Sequence, residues 1–408
     1  MKVLVIADHY PPYGMGGYEI ACEAVTEGLR RRGHEVRVLT SVHGAGRFER
    51  SDHVERVLHR PQDSAFMPQL GWWELRDRHQ LERIVASWRP HVVYAWKLLQ
   101  LFPSIHRWLA RCGVPIVFNL QDLWFPEHLD QALALTAAWH ANESGGIRHT
   151  GKSCVRAAVR LVNRDLTRPV AAGDLALDHV IFCSRFRERQ HAGAGFGGRA
   201  PHVIYNGVDL ERFTGDPRRA SGDALKLLFV GRLVEGKGLH TVIDALAALR
   251  RRGVRATLTV SGIPSYPFEY RGRLDAQIAA LGLTSQVSLR APVGGSQLAA
   301  VYRAHDVLVF PSVDPEGFPM TLLEAAACGL AIVGTTTGGS GEFLVDDDTG
   351  LVFSPHDVEQ LVDRLTTLAR QPATALRLAA SAQRRARTEF AIDRIAAQTE
   401  TCLAQIAA

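Results

Sequence analysis

The sequence predicts an α/β protein built from two doubly wound, Rossmann-like domains facing each other across a cleft. Three observations lead there. A chain of 408 residues is too long for one compact core. Each half carries the same succession of strand, glycine-rich loop, amphipathic helix and strand. The strands read as near-continuous apolar runs, as parallel strands covered on both faces require.

The elements follow in order. In the first half KVLVIAD leads into the loop GMGG, a helical stretch ending LRRRG, and the strand EVRVLTS. HVVYAW and IVFNL continue the sheet, and HVIFCS follows a long helical insert over roughly 127–175. In the second half LKLLFVG leads into GRLVEGKG, a helical stretch again ending LRRRG, and the strand ATLTVSG. From Leu239 to Leu246 apolar residues recur at three- and four-residue spacing, as in a helix packed on a sheet. VSLRAP, VLVFPS, AIVGT and GLVF then alternate with helices. The join is expected within VIYNGVDLERF, 203–213, where Asn206-Gly207 supplies turn chemistry, dividing the chain into domains 1–205 and 206–387. From about 388, EFAIDRIAAQTETCLAQI reads as one more amphipathic helix.

Hydrophobic content of 46% with 22% charged residues is that of an ordinary globular protein. No uncharged apolar run reaches about 18 residues, so a membrane span is not expected. The opening MKVLVIAD is already a strand pattern, with no signal peptide ahead of it. Six cysteines are scattered with no CxxC, which points to reduced thiols in the cytoplasm and to no metal. Residues 1–205 hold 26 Lys+Arg against 20 Asp+Glu, so the first half is basic although the whole chain is only +5. That excess suits phosphorylated substrates or peripheral contact with an anionic inner membrane face, or simply solvates helices. The stretch RAAVRLVNRDLTR, 156–168, leaves the same two alternatives open.

GRLVEGKG, 231–238, comes within one residue of a phosphate-binding P-loop, but Gly238 stands where a Ser or Thr would hold magnesium. What remains is Arg232 and Lys237 beside amides at a helix start, an anion site suited to a diphosphate without metal. GMGGYE, 14–19, is not a complete GxGxxG, because Glu19 takes the last glycine's place; it reads as a second phosphate-facing loop. TTGGSGEF, 336–343, is a third glycine loop with Glu342 at its lip, and Asp346-Asp347-Asp348 reads as a surface turn rather than a metal site.

PEGFPMTLLEAAACG, 315–329, places Glu316 on a loop and Glu324 inside the following helix, with Pro319 expected at the first helical position. Glu324 lies among Leu322, Leu323 and Ala325 to Ala327, too apolar a run for a solvated face, so a partner must receive it. Amides from Phe318 to Thr321 are left as donors at the helix start. Two acids flanking a phosphate-seeking helix end match sugar hydroxyls, phosphates and ribose hydroxyls of one extended ligand, a nucleotide sugar. All seven tryptophans lie between 72 and 139; Trp124, after a strand end, is the one placed to stack on a sugar or aglycone, the others being mostly packing residues.

Taken together, GMGGYE, SRF at 184–186, YNGVDLERF, GRLVEGKG, VLVFPSVDPEGFPMTLLEAAACGLAIV and TTGGSGEFLVDDDTGLV resemble the retaining glycosyltransferases of family 4, whose architecture is GT-B. The resemblance implies that Arg232 and Lys237 hold the donor diphosphate, Glu316 faces the transferred sugar and Glu324 the ribose. It implies donor contacts from Gly317, Phe318, Pro319, Met320 and Thr321, and from Gly16 and Gly17 of the first domain. It also implies that the terminal helix, about 388–408, packs back on the first domain, and that transfer is metal-independent, without a cofactor, from a UDP- or GDP-sugar. The acceptor side falls to Tyr13, Gln121, Asp122 and Trp124, the acceptor being a glycan, a lipid-linked glycan or a small molecule; no nucleic-acid partner is expected. One departure stands out. Where the family commonly shows a histidine followed by an acid, this chain reads Gln121-Asp122. Glutamine can donate a hydrogen bond but cannot take a proton, which leaves Asp122 and the departing phosphate as bases. The rival readings are a nucleotide-sugar epimerase on the same plan, a P-loop NTPase, and a non-catalytic sugar-binding module.

Overall fold

A computed structural model describes residues 1–13, 16–60, 63, 67–102, 104–123, 177–217, 224–264, 269–291 and 293–408. The chain divides into two compact units, Met1–Ile204 with Ala396–Ala408, and Tyr205–Ile395.

The first unit is built on an eight-stranded sheet of β1 (Lys2–Ala7), β2 (Glu35–Ser41), β3 (Glu49–Ser51), β4 (Val54–Leu58), β5 (Val92–Ala95), β6 (Ile116–Leu120), β7 (His179–Phe182) and β8 (Ala200–Val203). Their order is β3-β4-β2-β1-β5-β6-β7-β8, parallel except for β3 at the edge. Helices α1 (Gly17–Arg31), α2 (Met67–Trp88), α3 (Ser104–Leu109) and α4 (Arg185–Gly193) connect them. Helix α1 starts where Glu19 turns back to accept the Gly16 N–H at 2.9 Å, and it ends at Gly33, whose φ of 85° suits glycine. The glutamate that spoils GxGxxG is therefore a helix cap.

The apolar runs appear as β1, β2, β5, β6 and β7. The sequence did not flag β3, β4 or β8. In β4, Glu55 and Arg56 interrupt the apolar pattern, yet Arg56 is buried, donating to the carbonyls of Tyr10 (3.0 Å) and Pro11 (2.6 Å). A charge serves there as a backbone anchor, which hydrophobic periodicity cannot register.

The second unit carries six parallel strands, β9 (Leu225–Leu233), β10 (Ala256–Pro264), β11 (Val287–Arg290), β12 (Val307–Phe310), β13 (Ala331–Gly334) and β14 (Leu351–Val352), in the order β11-β10-β9-β12-β13-β14. Around them lie α5 (Leu239–Arg251), α6 (Glu269–Ala280), α7 (Gly295–Arg303), α8 (Met320–Ala327), α9 (Val358–Arg370) and α10 (Pro372–Glu389). Leu227, Phe229, Val242, Leu246, Val309 and Val333 belong to one buried core between sheet and helices. The chain runs β9, β10, β11 outward on one side, then returns to place β12 beside β9. The β9/β12 pair is the topological switch point, where the carboxyl ends of doubly wound sheets leave room for a ligand.

The tail differs from the reading that began at about 388. Residues up to Glu389 belong to α10, and the last helix, α11, spans Ile392–Ala407. Phe390 breaks the chain between them, because its ring is buried beside Phe318 and Phe343. Within the first unit α11 seats on α1 and the turn that follows it. Ala396 packs so close to Gly28 that a Cβ there would sit 2.6 Å from it, and Glu400 pairs with Arg32 and with His34 at 2.8 Å.

Candidate functional site

Arg232, Lys237, Glu316 and the start of α8 all lie at the carboxyl edge of the β9/β12 switch point. Strand β9 runs on through Gly231 to Leu233, so Arg232 sits on its last residues rather than in the loop. Arg232 is exposed and makes no ion pair among the described residues. Lys237 closes a 3-10 turn, Glu235–Lys237, and its ammonium pairs with Glu316 Oε1. The same oxygen accepts the hydroxyl of Ser312.

The glycines of this loop are accounted for by the neighbouring loop. The Gly236 carbonyl accepts the N–H groups of Val313 (2.8 Å) and Asp314 (3.0 Å). A Cβ at 236 would sit 1.7 Å from the Asp314 carboxylate, and one at 238 only 2.0 Å from the Pro311 carbonyl oxygen. Gly238 also has φ +68°. A P-loop serine or threonine has no room at 238, which removes the NTPase reading. Nor are all the amides here free. Those of Lys237 and Gly238 bond to Val234 and Glu235, and that of His240 to the Tyr270 hydroxyl at 3.2 Å.

The start of α8 is different. Among the described residues, the N–H groups of Gly317, Phe318, Met320 and Thr321 donate to no other group of the protein. Pro319 is the N-cap, with φ −75° and ψ 121°, not the first helical residue as expected. Its ring accepts that φ in either place, but the extended ψ leaves it outside the helix and it has no N–H to offer. The Phe318 ring is committed to an aromatic cluster with Tyr205 and Phe390 and is buried, so the residue has only its backbone N–H left to offer. Asn206, read from sequence as turn chemistry, is buried and donates from Nδ2 to the Phe318 carbonyl at 2.9 Å. Glu316 is pinned through its own backbone. Its N–H donates to Thr337 O (3.4 Å) and its carbonyl accepts from Gly339 (2.8 Å), tying it to the third glycine loop. Glu342 of that loop accepts the Tyr205 hydroxyl at 2.8 Å.

Glu324 has the partner its apolar surroundings demanded, the Tyr302 hydroxyl on α7, at 2.8 Å. Burial pushes its carboxyl above the usual range, and Tyr302 and the charge of Arg212 oppose this. No sequence signal singled out Tyr302, one more residue on an amphipathic helix. The three aspartates at 346–348 are each engaged, by Arg364, Arg377 and Ser381.

In the first unit, Asp122 pairs with Lys97 at 2.8 Å, and Gln121 donates to Asn119 Oδ1 at 3.2 Å while its carbonyl accepts from Arg187. Tyr13 lies under the Arg56 guanidinium, 5.0 Å from the ring centroid. Gly16 and Gly17 open α1. Asp8, at the end of β1, is buried and missed by the sequence analysis. Its Oδ2 accepts the Gln100 N–H at 3.1 Å, and burial raises its pKa to about 8. Trp124, the insert over 127–175 and the basic stretch 156–168 lie outside the described residues.

Comparison with known proteins agrees with this architecture. Residues 15–212 match the family model Glycosyltransferase Family 4, and residues 216–385 match Glycosyl transferases group 1. A glycogen synthase of Mycobacterium tuberculosis is 29% identical over 98% of this chain and 93% of its own length. A D-inositol 3-phosphate glycosyltransferase of Actinosynnema mirum is 37% identical over half of each chain. Among solved structures, sucrose-phosphate synthase from Thermosynechococcus elongatus superposes with a TM-score of 0.74 at 19% identity, covering 99% of this chain and 98% of that one. Anabaena HepE, solved with UDP and glucose, gives 0.71 at 22% identity, covering 99% and 100%. The fold is GT-B, and the chain is a glycosyltransferase that belongs to family 4.

Proposed function

We propose that the second unit binds a nucleoside diphosphate sugar at the β9/β12 edge and that the enzyme transfers the sugar with retention of configuration. One observation carries this: at the carboxyl edge of β9 and β12 stand the Lys237–Glu316 pair and, with no partner among the described residues, Arg232 and four amides. Arg232 and Lys237 hold the diphosphate, and the amides of Gly317, Phe318, Met320 and Thr321 assist through the α8 dipole. Glu316 takes a hydroxyl of the transferred sugar and Glu324 the ribose. Charge builds on the diphosphate as the sugar leaves, so the fixed cations supply the largest share of catalysis. A relative of Mycolicibacterium smegmatis named for GDP-mannose and the UDP-bound Anabaena neighbour support uridine and guanosine as the bases to compare.

The first unit is proposed as the acceptor side, with Tyr13, Gln121 and Asp122 there and Gly16 and Gly17 as donor contacts. Gln121 takes no proton and Asp122 is held by Lys97, which favours the departing phosphate as base. Relatives named for glycogen and for D-inositol 3-phosphate bracket the acceptor: one name carries a phosphate and the other does not. No helix among the described residues is long and apolar enough to cross a membrane. The five described cysteines form no disulfide with one another, and a cytoplasmic setting is proposed from the scattered spacing of the cysteines in the sequence.

The test is titration with UDP- and GDP-sugars, followed by anomeric analysis of the product. Lys237→Ala and Glu316→Ala should each lower turnover 10²-fold or more, on the order of 3 kcal/mol. Near-native turnover in both would overturn the assignment.

A further inference from the structure

We propose that Ser312 is a positioning residue that keeps the Glu316 carboxylate aimed at the donor sugar while Lys237 exchanges its partner; this rests on the donor site described above. Ser312 follows β12 and is 1% exposed. Its carbonyl accepts two hydroxyls, from Thr335 at 2.6 Å and Thr337 at 3.2 Å. Ser340 in turn donates to Thr337 O at 2.7 Å. The serine backbone is therefore fixed from the loop that also grips Glu316. Its hydroxyl has one hydrogen to give. The alternative acceptors, Gly236 O (3.4 Å) and Asp314 O (3.5 Å), are distant and neutral, whereas Glu316 Oε1 is close and charged.

Lys237 and Ser312 both use Oε1, leaving Oε2 with no donor from the described residues. When a diphosphate arrives, Lys237 has a second anion to serve. A carboxylate held by the ammonium alone would then be free to swing between rotamers. The Ser312 hydroxyl is not drawn away, because its backbone is anchored on the opposite side, so Glu316 keeps Oε2 presented. Preorganisation of this kind affects the sugar-bearing ligand and the transition state, not the nucleotide.

The experiment compares Ser312→Ala with wild type for nucleotide release from UDP-glucose or GDP-mannose, whichever the wild type turns over. Binding of the matching UDP or GDP is measured by calorimetry. Ser312→Ala should lower kcat about tenfold while nucleoside diphosphate affinity stays within about twofold, and Ser312→Thr, which keeps the hydroxyl, should recover most of the rate. In a Glu316→Ala background, Ser312→Ala should add nothing, since its action runs through that carboxylate. Ser312→Cys, closer in volume, should shift kcat in the same direction if the alanine variant folds poorly. Wild-type turnover in Ser312→Ala or Ser312→Cys, or an undiminished loss in the Glu316→Ala background, overturns the role of Ser312 alone. Failure of the wild type to bind either nucleotide overturns the donor site and this inference together.

Discussion

The Tyr302 hydroxyl donates to Oε2 of Glu324 at 2.8 Å, and both side chains are buried, Glu324 with 4% of its surface exposed. Without Tyr302 this carboxylate would lose its hydrogen-bond donor inside the protein. Tyr302→Phe should destabilise the protein by about 1–3 kcal/mol. An acid whose pKa is raised on folding contributes stability below its unfolded pKa and loses it as pH rises. Removing the donor that favours the charged form raises that pKa further. The deficit of Tyr302→Phe, followed by denaturant unfolding, should therefore be larger at pH 8 than at pH 5.

Gly238 is required by geometry rather than by a ligand. A methyl group there meets the Pro311 carbonyl oxygen at 2.0 Å, and φ of +68° is unfavourable for any side chain. Gly238→Ala should cost about 3 kcal/mol or more, combining left-handed strain with a backbone clash. The midpoint of chemical denaturation reports it. Gly238→Ser should lose the same stability and gain no magnesium-dependent ATP hydrolysis.

Arg232 has no ion pair among the described residues and is exposed, so its removal leaves no orphan behind. Arg232→Ala should change stability by no more than about 0.5 kcal/mol. It should nevertheless weaken binding of a nucleoside diphosphate by about tenfold or more, because a charge-assisted contact to phosphate is lost. Equal affinity of variant and wild type for UDP and GDP in calorimetry would remove Arg232 from the donor site.

Asp8 predicts a pH dependence in the first unit. Burial raises its pKa from 3.8 to about 8, while the Gln100 N–H and Lys97 oppose the shift and Glu19 and Asp122 reinforce it. Its contribution to stability is present below about pH 4 and declines as pH rises towards 8. His9, half-buried beside Gln100 and Arg60, is lowered from 6.5 to about 4, chiefly by the loss of water around its ring, so its contribution is present above 6.5 and lost on acidification. The two oppose each other between about pH 4 and 6.5, and Asp8 acts without His9 above that. Asp8→Asn should therefore gain on wild type between pH 6.5 and 8, on the order of 1–2 kcal/mol in unfolding free energy. Parallel stability curves over that interval would show that Asp8 is already ionised in the native protein.

Much of this molecule is legible in the sequence because much of its information is local. The apolar runs of β1, β9 and β12, the helical spacing from Leu239 to Leu246, and the loops bearing Lys237 and Glu316 can all be read from residues a few positions apart. β4 was not legible, because Arg56 breaks the apolar pattern while anchoring a distant loop. Asn206 was recognised as a turn former, but its hold on the Phe318 carbonyl spans 112 residues.

By itself the sequence determined the α/β class, the parallel strands and the residue types able to grip a diphosphate. Periodicity and turn chemistry depend on neighbours along the chain. Tertiary structure alone decided which of those residues meet. Lys237 and Glu316 stand 79 positions apart and pair because the sheet order places β12 beside β9. The same adjacency brings Pro311 against Gly238, and the packing of α7 gives Glu324 its tyrosine. These are contacts between loops and helices on neighbouring strands, and no local pattern of residues encodes which strands become neighbours.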